Sequence, residues 1–191
     1  MSTNPRRARR HDPDRKETII ETATALISAE GLAQLSHRKI ATAADVPLGS
    51  ITYHFPTLDE LVIEVFERYT SKCSDRFQRA LSATRSVKEL PKALAAEVSC
   101  YLKSGSELAL AYELYLGCIR NPRLKVILNQ WLLRSRGSLA MYFDADTARV
   151  IDALIEGLIL HTLHEETPLT EAQLEEAFRR VIRGQSGGKS S

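Results

Sequence analysis

Apolar residues along this chain recur at helical spacing from residue 14 to residue 183, with no stretch of strand-like alternation. Residues 14–30 place Ile19, Ile20, Ala23, Leu26 and Ile27 on one stripe, and Gly31 follows as a stop. Residues 57–82 open on TLDE, a capping box, and continue with Leu61, Val62, Val65, Phe66 and Tyr69 as a long stripe. Further helices are expected over 87–103, 107–118, 122–142, 146–165 and 171–183, with breaks at Gly105, Asn121-Pro122, Asp144 and Thr167-Pro168. The expected fold is all-α.

Between the first stripe and the long one lies SHRKIATAADVPLGSITYHF, residues 36–55, two short helical patterns around a tight turn. Ser36 suits an N-cap and Asp45 tolerates a left-handed turn position. Pro47 fits the first position of the second short helix. In that helix Ile51 and Phe55 share one face, while Gly49, Ser50, Thr52 and Tyr53 share the other. A face of small hydroxyl side chains and one tyrosine, flanked by Arg38, Lys39 and His54, suits a groove of base edges and phosphates. The stretch reads as a helix-turn-helix backed by the first long helix.

Charge sharpens this picture. Residues 1–56 hold eight Lys/Arg against six Asp/Glu and the remainder holds eighteen of each, so the net charge of +2 resides in the first third. Residues 1–13 form a basic, Pro-interrupted arm expected to be drawn to polyphosphate, and residues 184–191 a flexible tail. No apolar run is long enough to span a membrane and the N-terminus lacks a secretory core, so a cytoplasmic protein is expected. Cys73, Cys100 and Cys118 lack the spacing of a disulfide framework or zinc knuckle.

Candidate chemistry in the C-terminal part is of a binding kind. Tyr101, Tyr112, Glu113, Tyr115, Cys118, Trp131 and Arg134 supply aromatic walls with polar anchors, and are the expected contacts of a small-molecule effector. His161 and His164, beside Glu165 and Glu166, have a spacing that could hold a metal, but the dipole at a helix C-terminus gives them an ordinary place. No metal, cofactor or catalytic constellation is expected. The segment 150–163, VIDALIEGLILHTL, is apolar around most of its circumference, and the last helix carries Leu174, Ala177, Phe178 and Val181. Together they are expected to form a two-fold four-helix interface in a homodimer.

The chain resembles the TetR family of transcriptional regulators. The resemblance rests on the helix ending at Gly31, on Arg38, Ile40 and Ala41, on Gly49 through Phe55, and on Leu61. It is close over residues 14–70, and YELYLGCIRNPRL at 112–124 is similar to a segment of the effector domains of related members. It implies a homodimeric regulator, usually a repressor, that binds a palindromic double-stranded DNA operator and is released by a small molecule. It further implies that Ser36, Arg38, Tyr53 and His54 hold phosphates while Gly49, Ser50 and Thr52 lie near bases. Two positions depart from the family pattern: Asp45 replaces the usual turn glycine, and Leu58 stands where many members have a phosphate-binding lysine. The expected organisation is an arm (1–13), a DNA-binding domain (14–56), a ligand-binding and dimerisation domain (57–183) and a tail (184–191).

Overall fold

The computed structural model describes residues 14–186, so the basic arm lies outside the described residues. Those residues form nine α-helices and one short 3-10 turn, without strands. Helix α1, Arg15–Glu30, buries Ile19, Ile20, Ala23 and Ile27 and stops at Gly31, whose φ of 87° and ψ of 156° lie in a region open almost solely to glycine. The 3-10 turn Leu32–Gln34 leads to α2, His37–Ala43, capped by the Ser36 hydroxyl, which accepts from the Lys39 amide at 3.2 Å. Asp45 takes φ 50°, so the left-handed turn residue is here an aspartate. Helix α3, Leu48–His54, buries Ile51.

Pro47 stands one position earlier than the sequence suggested. Its ψ of 141° leaves it outside the helix as the N-cap residue, where its carbonyl accepts from the Ser50 amide at 2.8 Å. Helix α4, Leu58–Ser82, is capped by Thr57, which accepts from the Glu60 amide at 3.2 Å. At 25 residues it is about 37 Å long. Leu58 is partly buried and packs on the core.

Helix α5, Leu90–Lys103, begins later than residue 87 because residues 84–89 form turns ahead of Pro91, which fits a first helical turn. Helix α6, Gly105–Cys118, begins earlier than residue 107, with Gly105 inside the helix. Helix α7, Pro122–Leu139, is capped by Asn121 and ends before Tyr142, whose hydroxyl bonds the Leu81 carbonyl at 2.7 Å. Helix α8, Ala145–His164, is capped by Asp144. Helix α9, Glu171–Ser186, opens on a reciprocal Thr170–Gln173 capping box and continues through residue 186, past the expected start of the tail at 184.

Two cores fill the molecule. The first joins α1, α2, α3, the N-terminal half of α4 and parts of α6 and α7 without a gap at residue 56; Phe66 and Leu114 are fully buried in it. The second joins the C-terminal end of α4 to α5, α8 and α9. Helix α9 directs Leu174, Phe178 and Ile182 into this second core, so much of the apolar stripe expected at an intersubunit contact lies within the chain itself. Helix α8 keeps Val150, Leu160 and Leu163 exposed, and Gly157 faces open space. No helix among the described residues is long and apolar enough to cross a membrane.

One hydrogen bond ties α6 to the turn that leads into the short helices: the Leu32 amide donates to Glu113 Oε2 at 2.9 Å. A Cβ built on Gly31 would sit 3.0 Å from Glu113 Oε1. Gly31→Ala is therefore expected to lose this bond and to destabilise the fold by about 2 kcal/mol, since its backbone is strained for any L side chain. Urea unfolding monitored by circular dichroism measures the loss.

Candidate nucleic-acid interface and interior cavity

The outer side of α3 is open. Gly49, Thr52 and Tyr53 are exposed, Tyr53 at 79%, and a Cβ added at Gly49 would meet nothing within 4 Å. Beneath them Ile51 and Phe55 anchor the helix, and Lys16 of α1 lies 5.5 Å from the Phe55 ring centroid. Thr52 Oγ1 donates to the Gly49 carbonyl at 3.3 Å, an exposed bond that water or another acceptor readily replaces. Tyr53 and His54 meet edge to face, 5.0 Å between centroids.

Not every residue of this face is equally available. Ser50 is partly buried and its hydroxyl accepts from Arg15 Nη1 at 3.4 Å, which turns it toward α1. Lys39 is ion-paired with Glu30, whereas Arg38 is exposed beside it. Ser36 is exposed, with its oxygen engaged by the Lys39 amide. The structure thus brings Ser36, Arg38, Lys39, Gly49, Thr52, Tyr53 and His54 onto one end of the molecule.

The second feature is a cavity of about 50 Å³ where the two cores meet, between α4, α5, α6, α7 and α8. Tyr101, Tyr112 and Trp131 line it. The other residues expected at an effector site lie elsewhere. Glu113 turns to the Leu32 amide, Arg134 is exposed, and Cys118 packs on the first core. Tyr115 stands just behind the wall, its ring 6.4 Å from that of Trp131, and its hydroxyl and the Glu156 carboxyl shift each other's titration.

Sequence reasoning missed the acids of α8. Asp152 and Glu156, one turn apart, both line the cavity. Asp152 is 4% exposed; its Oδ1 accepts from Ser135 Oγ at 2.6 Å and its Oδ2 from Arg136 Nε at 2.8 Å. Glu156 has no Lys, Arg or His within ion-pair distance among the described residues. Burial, and then the Asp152 charge, push its carboxyl up to about 7, against the Tyr115 hydrogen bond. Ser74 Oγ and Tyr112 Oη are buried there without hydrogen-bond partners. Acids at i, i+4 within the apolar segment VIDALIEGLIL were the available signal, because a carboxylate on a buried face demands a partner. His161 and His164 are exposed, and no group of three or more His, Cys, Asp or Glu is placed to hold a metal among the described residues.

Comparison with known proteins gives these two features a context. Residues 19–65 match the family described as bacterial regulatory proteins, tetR family, and residues 85–184 match the tetracyclin repressor-like C-terminal domain. The crystal structure of the putative transcriptional regulator SCO7518 from Streptomyces coelicolor A3(2) is 40% identical, with 89% of this chain and 99% of that chain covered at a TM-score of 0.82. The multidrug binding protein EbrR complexed with imidazole is 37% identical, with 91% and 92% covered at a TM-score of 0.75. In its ethidium complex EbrR aligns at 34% identity, with 88% and 98% covered at a TM-score of 0.72. An uncharacterized HTH-type transcriptional regulator in the dhlA 5' region of Xanthobacter autotrophicus is 35% identical over 57 residues, 30% of this chain and only 28% of that relative's length. With an open helix-turn-helix at one end and both family regions matched in order, the chain belongs to the TetR family of transcriptional regulators.

Proposed function

We propose that the protein is a homodimeric repressor that sets α3 of each subunit into the major groove of a palindromic operator and leaves it when a small molecule enters the cavity. The observation that carries this reading is the shared packing of the two features. Helix α4 lines the cavity with Cys73, Ser74 and Phe77, and with Leu61 and Phe66 belongs to the core that holds α3. Helix α6 lines it with Ala111 and Tyr112 and holds the Leu32 amide through Glu113. Whatever widens the cavity moves elements on which the recognition helix rests. The description of EbrR as a multidrug binding protein supports a ligand-binding role for the corresponding region here.

The exposed apolar side of α8 is the proposed subunit contact, and dimerisation would set two α3 helices about 34–36 Å apart on successive grooves. Thr52 would read a base, Ser36, Arg38, Lys39, Tyr53 and His54 would hold phosphates, and Gly49 would allow close approach. Ser50, held by Arg15, would approach a base only after exchanging that bond. Selection of bound genomic fragments followed by gel-shift assays tests this. Thr52→Ala is expected to change sequence preference by about 1–3 kcal/mol at one position, whereas Tyr53→Phe weakens all sites alike. A Thr52→Ala protein with unaltered preference at every selected site would refute the assigned reading face.

A further inference from the structure

We infer that the cavity takes an organic monocation, with the Glu156 carboxylate as its counter-charge and Trp131, Tyr112 and Phe77 around its apolar body. The inference rests on the ligand-responsive reading above and names the chemistry of that site. Of the two acids in the wall, Asp152 is already neutralised by Arg136 and further bonded by Ser135. Glu156 is left with the Tyr115 hydroxyl, which lowers its carboxyl but carries no charge. A carboxylate in an apolar enclosure is costly until a cation joins it, and one such carboxylate matches one positive charge. Anions are disfavoured by the same unpaired acid.

The remaining lining fits the same kind of ligand. Aromatic faces attract cations and shed little entropy on packing against a flat body. Ser74 Oγ and Tyr112 Oη offer unused hydrogen-bond capacity inside the enclosure. At about 50 Å³ the cavity holds a few waters and no aromatic dye, so entry of such a ligand must part the surrounding helices. Binding is then coupled to movement of α4 and α6.

A proton enters the balance. With Glu156 near 7, cation binding releases its proton at neutral pH, so affinity rises with pH up to that point and levels above it. The groups facing it do not titrate in that window in a way that reverses this. Tyr112 and Tyr115 of α6, Tyr101 of α5 and Cys73 of α4 are all pushed up by burial, and stay neutral. Asp152 carries its ion pair with Arg136 of α7, and Arg76 lies behind the Tyr101 ring, engaged by Glu97 and Glu107.

The test titrates the full chain with ethidium, a cation at every pH used, and with phenanthridine, its uncharged ring system, following the emission of Trp131 and the heat of binding. Ethidium is expected to bind about tenfold more tightly at pH 8 than at pH 6, the ratio of ionised Glu156 at the two values. Glu156→Gln is expected to lose at least about tenfold in ethidium affinity at pH 8 and to flatten the pH profile, with phenanthridine binding unchanged. The wild-type profile stands as evidence without the variant. Equal ethidium affinity in Glu156→Gln, or a flat wild-type profile, overturns the assignment of the counter-charge. Phenanthridine binding as tightly as ethidium overturns the cation and leaves the cavity as an effector site. Neither compound binding overturns both this inference and the ligand-responsive reading.

Discussion

Arg136→Ala is expected to lower the stability of the protein by about 3 kcal/mol, and Asp152→Asn in the same chain to recover most of the loss. Asp152 is 4% exposed, so its charge has almost no water to turn to when Arg136 is removed. Ser135 continues to donate to Oδ1, but a hydroxyl bond does not neutralise a carboxylate. Breaking a buried ion pair from one side costs about 3–5 kcal/mol, and the lower end applies because the Arg136 side chain is 33% exposed and its own release into water is favourable. In a chain of this size the loss corresponds to a fall of roughly 6–12 °C in Tm. Urea titrations of the two single variants and the pair measure the coupling directly. An Arg136→Ala protein as stable as the wild type would mean that Asp152 is solvated by some other route.

The functional consequence lies one turn along α8. The Asp152 charge already raises the Glu156 carboxyl, and Arg136 is the cation paired with that charge. Without that guanidinium the Glu156 proton is expected to be held to higher pH. A variant made for stability thus reports on the cavity as well.

How much of this was legible in the sequence follows from how local each feature is. Ser36, Asp45 and Thr57 are read from a few neighbouring residues, and the structure has them as cap, left-handed turn and cap. Pro47 misled by one position because a proline suits both the cap and the first turn, and only ψ decides between them. Helix phase was harder. Residues 105–118 are apolar around most of the helix, so sequence could not say that Tyr112 faces the cavity while Glu113, about 100° further round, reaches the Leu32 amide. Nor could it tell an apolar stripe that meets a second copy from one that meets its own chain. Phe178 is fully buried against α5-containing core, a contact between segments some eighty residues apart that no local pattern encodes. The first core likewise runs across the boundary suggested at residue 56, because α4 packs on both α1 and α7.

The second large effect is a loss of stability toward alkaline pH that belongs to one residue. In the folded chain the Glu156 carboxyl lies at about 7, above the 4.5 of an exposed glutamate. Between those values the native state holds a proton that the unfolded chain has released, so raising the pH favours unfolding. The contribution is complete below about pH 4.5, is lost progressively up to about pH 7, and is constant beyond, where both states are ionised. A shift of this size corresponds to about 2–3 kcal/mol, somewhat under its full value because part of the side chain is exposed. Glu107 acts in the opposite sense: although burial raises it, Arg76 and Lys72 hold it below the usual range, so its contribution fades only as pH falls below about 4.5. The two therefore separate on the pH axis. Glu156→Gln should match the wild type near pH 4.5 and exceed it by about 2–3 kcal/mol at pH 8, measured by urea unfolding at half-unit intervals. A wild-type curve that stays parallel to that of the variant from pH 4.5 to pH 8 would place the proton on some other group and leave Glu156 ionised in the folded chain.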